Sequence, residues 1–253
     1  SEDHGDAYPS REAYAADKAK LLRAQTPEDV AVLNADDPWV VRLCEANGAG
    51  RRLWFHGEDP RLPEALGVDP LELKIPGRHN VANAAAASLM ALDVGIPAGA
   101  VAAGLRTFAG VPHRMETVAE AGGIRYVNNS MCTNAAALAA SLDACAGGVV
   151  AIAGGRDKAG DADALAAPLA ARARAVVLIG EASTAIAAAL ARAGGPSASV
   201  APSLEEAVRT AASLARPGET VLLAPGCASF DMFAGFEHRG QVFREAVREM
   251  LRR

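Results

Sequence analysis

A parallel α/β fold is predicted for this chain by three features of its sequence. Short runs of Val, Ile, Leu and Ala alternate with helix-length segments through the second half, the rhythm of βαβ units whose sheet is covered on both faces. Hydrophobic residues fill 51% of the 253 positions, enough for a sizeable core. Aromatic residues fill only 4%, so that core is built of Ala, Val and Leu, which favours helices and excludes a β-sandwich.

Taken in order, residues 10–24 read as a helix with Ser10 as its N-cap. Residues 29–33 form a short apolar strand ending in Asn34-Ala35-Asp36-Asp37-Pro38, and a helix runs from there to Ala46. Residues 51–55 and 71–75 are further strands, Gly77 interrupts, and residues 81–94 are an Ala-rich helix. A helix over 98–108 leads to Gly110-Val111-Pro112, where the chain is expected to divide into domains. Beyond that break come a strand ending at Tyr126-Val127, a helix over 134–145 and a β-branched strand over 149–153. Helix 162–171, strand 175–179, helices 183–193 and 204–214, strand 221–223 and a closing helix over 233–250 complete the series.

Lys and Arg total 25 against 30 Asp and Glu, a formal charge of −5, which argues against nucleic acid or an acidic membrane as partner. Cys44, Cys132, Cys145 and Cys227 show no C-x-x-C spacing and are too sparse for a disulfide framework, which suits the cytoplasm. No apolar run reaches the roughly 18 residues of a membrane span. The chain opens at Ser1-Glu2-Asp3-His4, inside a charged cluster and without an initiator Met, as expected of a piece whose upstream part is missing.

In open parallel sheets ligands bind where strands end, so the loops that follow strands carry the chemistry. Gly154-Gly155-Arg156-Asp157-Lys158 joins two glycines to two cations, either an anion site or a turn with solvated charges. Asn128-Asn129-Ser130-Met131-Cys132-Thr133-Asn134 is dense in amides and hydroxyls, part of which a cap by Thr133 or Asn134 explains. Cys132 as a nucleophile lacks a local base, since the nearest His in sequence is His113. Ala224-Pro225-Gly226-Cys227-Ala228-Ser229-Phe230-Asp231 offers a hydroxyl near backbone amides, either a carboxylate cradle or an ordinary turn. Asn80 and Asn83 lie three apart on one helical face, as caps or as ligand contacts. His4 beside Asp3, with Lys18 on the next helix, is a metal and phosphate candidate or a polar terminus. Neither a Walker A sequence nor a G-x-G-x-x-G fingerprint occurs, so nothing in these residues alone shows ATP binding.

Together, Ser1 to His4, Tyr14 with Lys18, Asn34 to Asp37, Gly77 to Asn83, Pro112-His113-Arg114-Met115-Glu116, Asn128 to Asn134, and Cys227 to Ser229 with Phe236-Glu237-His238-Arg239-Gly240 resemble the Mur ligases. These are ATP-dependent amide-forming enzymes of peptidoglycan precursor synthesis, and the resemblance is nearest to the branch that adds D-glutamate. It implies that residues 1–109 are the second half of a P-loop-type ATPase domain, without the P-loop half, and that residues 110–253 are a Rossmann-like amino-acid-binding domain. The implied substrates are ATP, glutamate and a UDP-sugar–amino acid, with Mg²⁺ as cofactor and a monomeric state. His4 matches the family's metal-binding His, and Lys18 the lysine that is carbamylated into a second metal ligand; these two stand at the reacting phosphates. Asn80, Asn83, Arg114 and Asn129 match nucleotide-contacting positions, and Thr133, Lys158, Ser229 and Phe236 those that hold the amino acid. One departure stands out: Asn129 and Met131 replace the family's usual Asp and Lys. A ligase for another amino acid, such as L-glutamate, or another acceptor, and a non-catalytic binding module, are the rival readings.

Overall fold

The structure, a computed structural model, describes residues 8, 10–57, 59, 61–75, 78–157 and 160–252. His4, Gly77 and Lys158 lie outside the described residues. The chain forms two compact units that divide between Ala109 and Gly110.

In the first unit, helix α1 (Arg11–Lys18) begins where the Ser10 hydroxyl accepts the Ala13 amide at 3.2 Å, and Ala19 joins it to the single turn α2 (Lys20–Arg23). Strands β1 (Val30–Asn34) and β2 (Arg51–Phe55) pair in parallel, linked by α3 (Pro38–Ala46), which Asp37 caps and Pro38 opens. Helix α4 (Arg61–Leu66), which the sequence reading misses, places Leu62 and Leu66 in a small core with Val68, Ala84 of α5 (Arg78–Asp93), and Val101 and Ala102 of α6 (Ala98–Thr107). The strand expected over 71–75 is absent. Pro70–Glu72 is a 3-10 turn that Asp69 caps, and Leu71 is 91% exposed; Leu73 packs against the small core, but the segment pairs with no strand among the described residues.

The second unit is a three-layer sandwich around a sheet of order β3-β4-β8-β5-β6-β7. Its strands are β3 (Glu116–Ala121), β4 (Ile124–Asn128), β5 (Val149–Gly154), β6 (Ala173–Ile179), β7 (Ala198–Val200) and β8 (Thr220–Leu223). β4, β8, β5, β6 and β7 are parallel, as expected, but β3 returns antiparallel on the edge, so the sheet is mixed. Its hairpin turns on Gly122-Gly123, both with positive φ (59° and 74°), a two-residue connection that matches the strand twist.

Strand alternation divides the core. Ala151, Val176, Leu178 and Leu222 face α7 (Ala135–Asp143), α8 (Ala162–Arg172) and α9 (Ser183–Arg192), where Leu138, Leu142, Leu169, Ile186 and Leu190 are fully buried. Val150, Ile152, Val177, Ile179 and Val221 face α10 (Leu204–Leu214) and α11 (Phe236–Leu251), meeting Val208, Phe243 and Val247. No helix of the described residues is long and apolar enough to cross a membrane.

Candidate functional site

Because β4, β8, β5 and β6 are adjacent and parallel, the loops that follow them, at 128–134, 224–235, 154–161 and 179–183, leave the sheet at one edge. Main-chain bonds tie them together. Arg156 and Ala228 exchange two amide–carbonyl bonds at 2.9 and 3.0 Å, Ala182 N donates to Gly155 O, and Gly226 N donates to Cys132 O. Gly154, at φ 107°, allows this closeness, since a Cβ there would collide with the Ile179 carbonyl oxygen. Asp231 adds a side-chain tie by accepting the Glu181 amide at 2.9 Å. Arg156 forms a two-pronged, solvent-exposed ion pair with Glu181 at 3.0 and 3.1 Å, which lowers the carboxyl pKa and raises that of the guanidinium. Its charge is therefore already answered within the protein; Lys158, the other cation of that loop, lies outside the described residues.

Arg239 is the largest fully buried side chain of the unit. It donates through Nε to Ser130 Oγ (3.0 Å), through Nη2 to Ser130 O (2.9 Å), and through both Nη1 and Nη2 to Cys227 O (3.1 Å each). The guanidinium thus clamps the loop after β4 to the loop after β8. Burial holds its pKa down to about 10, still well above neutrality, so it remains a cation. In the sequence Arg239 stands out only within the string Phe236 to Gly240. Its spacing carries a signal nonetheless: Phe236, Arg239, Phe243 and Val247 fall on one stripe of α11, where an Arg amid apolar residues must be buried with partners.

A second polar network anchors the entry to the domain. Glu116 accepts from the His113 amide (2.9 Å), Asn128 Nδ2 (3.2 Å) and Arg244, whose Nη2 lies 3.0 and 3.1 Å from its two oxygens. Asn128 Nδ2 also meets His113 Nδ1 at 3.1 Å and Gly240 O at 3.2 Å. The His113 ring stands edge-on to Phe236 and rests where a Gly240 side chain would be, since a Cβ at Gly240 would overlap Nδ1. Gly240→Ala is therefore expected to cost about 1–3 kcal/mol by overpacking and to displace the imidazole. A denaturant titration with the His113 ring shifts read by NMR checks it; an unmoved ring and unchanged stability would refute this packing.

Comparison with known proteins gives the same picture from another direction. The model of the Mur ligase middle domain matches residues 1–62, and that of the "Mur ligase, glutamate ligase domain" matches residues 113–227. The chain belongs to the Mur ligase family. Two similar proteins named UDP-N-acetylmuramoylalanine--D-glutamate ligase come from Nitrosococcus oceani, 41% identical over 99% of this chain, and from Solibacter usitatus, 40% identical over 98%. The chain spans 58% of the length of each. The solved Mycobacterium tuberculosis folylpolyglutamate synthase complexed with ADP and AMPPCP superposes with a TM-score of 0.68 at 21% identity, covering 100% of this chain and 62% of that one, which establishes a shared fold.

Within this Mur ligase chain the candidate residues fall into distinct settings. Thr133 is half-buried just before α7, whose N-cap is Asn134, accepting the Ala137 amide at 2.8 Å. Ser229 is 2% exposed on the loop after β8, and Phe236 opens α11 with its carbonyl accepting from Ser130 Oγ at 2.8 Å. Arg114 is exposed and carries no ion pair among the described residues. In the first unit Asn83 Nδ2 donates to Asn80 Oδ1 at 3.3 Å in the first turn of α5. Lys18 is exposed at the end of α1, its Nζ 5.1 Å from the centre of the Tyr14 ring. One expectation, that Asn129 contacts the nucleotide, needs correction, and the dismissal of Cys132 as a nucleophile stands. Asn129 is 7% exposed and turned inward, with both ends of its amide bonded inside the domain, so it does not present itself to a ligand. Cys132 is 1% exposed and burial pushes its thiol up to about 11, which leaves no thiolate for nucleophilic attack.

Proposed function

We propose that this chain is part of an ATP-dependent ligase that joins D-glutamate to the carboxyl group of a UDP-sugar-linked amino acid. The observation that carries the reading is 40–41% identity, over nearly the whole chain, to proteins named for that reaction. Residues 1–109 supply the second half of the ATP-binding domain and residues 110–253 the glutamate-binding domain. ATP first transfers its γ-phosphoryl group to the acceptor carboxylate. The glutamate amino group then attacks the acyl phosphate, and the tetrahedral intermediate releases phosphate.

In this reading the chain's own residues contribute positioning and charge matching. Asn80 and Asn83 of the first unit are read as nucleotide-contacting groups, and so is Arg114 of the second, which carries no ion pair among the described residues. Lys158 and the hydroxyls of Thr133 and Ser229 receive the two carboxylates of glutamate through charge-assisted hydrogen bonds, and Phe236 lines the site. Mg²⁺ would neutralise phosphate charge, with His4 and carbamylated Lys18 as its ligands. The described residues alone do not fit that ion: Lys18 as an amine only donates, and no three His, Cys, Asp or Glu side chains gather among them. The four free cysteines agree with a cytoplasmic setting.

The test is phosphate release by the full-length ligase with UDP-N-acetylmuramoyl-L-alanine and either glutamate enantiomer. Turnover with D-glutamate is expected; turnover with L-glutamate alone would replace the substrate, and turnover with neither would leave a binding module. Ser229→Ala should raise KM for glutamate roughly 10- to 100-fold, the worth of one hydrogen bond to a charged group, with KM for ATP unchanged.

A further inference from the structure

We propose that Asn129 is a positioning residue for Arg114 that acts through the strained turn carrying it, and makes no contact with nucleotide itself. This rests on the reading of Arg114 as a nucleotide-binding group.

Arg114 sits between two non-glycine residues in left-handed backbone conformation, His113 at φ 64° and Met115 at φ 46°. Such a pair persists only where the surroundings over-determine it. The His113 side is held by three bonds: its amide to Glu116, its carbonyl from the Met131 amide at 3.1 Å, and its ring to Asn128. The Met115 side is held at its amide by one side chain, Asn129, whose Oδ1 accepts at 3.2 Å. Asn129 is in turn fixed by donating from Nδ2 to Ser141 Oγ at 2.6 Å, and Ser141 donates to Ala137 O within α7. A chain of bonds thus runs from helix α7 through Ser141 and Asn129 to the backbone beside Arg114, with the Met115 side chain packed into the core below.

The amide suits this task because it needs both an acceptor for Met115 N–H and a donor for Ser141 Oγ. Asp at this position keeps the acceptor that reaches Met115, provided Ser141 turns its proton from Ala137 O to the carboxylate. Ala keeps neither. The ordering expected of the variants is therefore opposite to that of a residue binding the ribose by charge: Asp close to Asn, and Ala well below both.

A double-mutant cycle in the full-length ligase tests it, with KM for ATP as the readout and kcat and KM for glutamate as controls. Asn129→Ala is expected to raise KM for ATP about tenfold, Arg114→Ala at least as much, and the double variant no further than Arg114→Ala alone. Asn129→Asp should restore KM to within about threefold of the starting protein, and thermal melts confirm that each variant is folded. Additive effects in the double variant would overturn the proposal in favour of direct nucleotide contact by Asn129. An effect of Arg114→Ala with none from Asn129→Ala would overturn it while leaving the nucleotide role of Arg114 standing. If Arg114→Ala itself leaves ATP kinetics unchanged, the reading beneath the proposal fails and the proposal with it.

Discussion

Replacing Arg239 by Leu is expected to destabilise the second unit by roughly 3–5 kcal/mol, a large part of the stability of a domain this size. The guanidinium is 0% exposed and its bonds go to Ser130 Oγ and to the carbonyls of Ser130 and Cys227, groups that water cannot reach once the loops have closed. Each acceptor stripped of its donor costs about 1–3 kcal/mol, more than the leucine recovers by removing a buried charge. Arg239→Lys should rescue less than half of the loss. An ammonium is a point donor and cannot bridge two loops as a planar fork does. Urea unfolding followed by far-UV circular dichroism measures both variants; a loss below about 1 kcal/mol for the leucine would show that the clamp is ornamental. A residual, folded Arg239→Leu protein should also bind glutamate poorly, because the loops of Thr133 and Ser229 then keep only the Gly226–Cys132 main-chain bond and the Ser130 Oγ–Phe236 O bond between them.

Raising the pH from 8 to 10 should remove roughly 3 kcal/mol of stability through two thiols alone. Burial pushes Cys132 up to about 11 and Cys227 up to about 12, against 9.0 in the unfolded chain, and it raises Cys145 as well. Above pH 9 the unfolded chain has lost these protons while the native state still holds them, so stability falls as pH rises until the native thiols ionise. Each thiol contributes about 1.4 kcal/mol between pH 8 and 10. Arg239 acts in the opposite sense, since its folded pKa is depressed to about 10, but only above that pH. The window from 8 to 10 therefore belongs to the cysteines. Denaturant midpoints across it should drop steadily, and Cys132→Ala with Cys227→Ala should flatten the drop; a flat profile in the unsubstituted protein would refute this account of the two thiols.

The long helices and buried strands of the second unit were legible because their periodicities are local. Val149 to Ala153 reads as a buried strand and Ser183 to Ala193 as a helix without knowledge of any neighbour, and the structure has them at Val149–Gly154 and Ser183–Arg192. Strand β3 was missed although Gly122-Gly123 announces a tight hairpin, since its Glu-Thr-Val-Ala-Glu-Ala sequence has few β-branched residues and gains its strand character from β4. The strand expected over 71–75 failed for the converse reason. Its apolar residues suggested burial, and the fold supplied no partner.

The candidate site divides in the same way. From its own residues the chain shows which loops follow strands and concentrate polar groups, because strand-to-helix turns rich in Gly, Asn and Ser are recognisable along one dimension, and it carries the motifs that place it in its family. Only the tertiary structure decided which polar groups are available in those loops. Arg156 is spent on Glu181, Asn129 on Met115 and Ser141, and Arg239 on two carbonyls 109 and 12 residues away from it in the chain, whereas Arg114 has no ion pair among the described residues. Hydrogen-bond partners are chosen by proximity in space, and the closeness of four loops at one sheet edge exists only after the strands between them have paired.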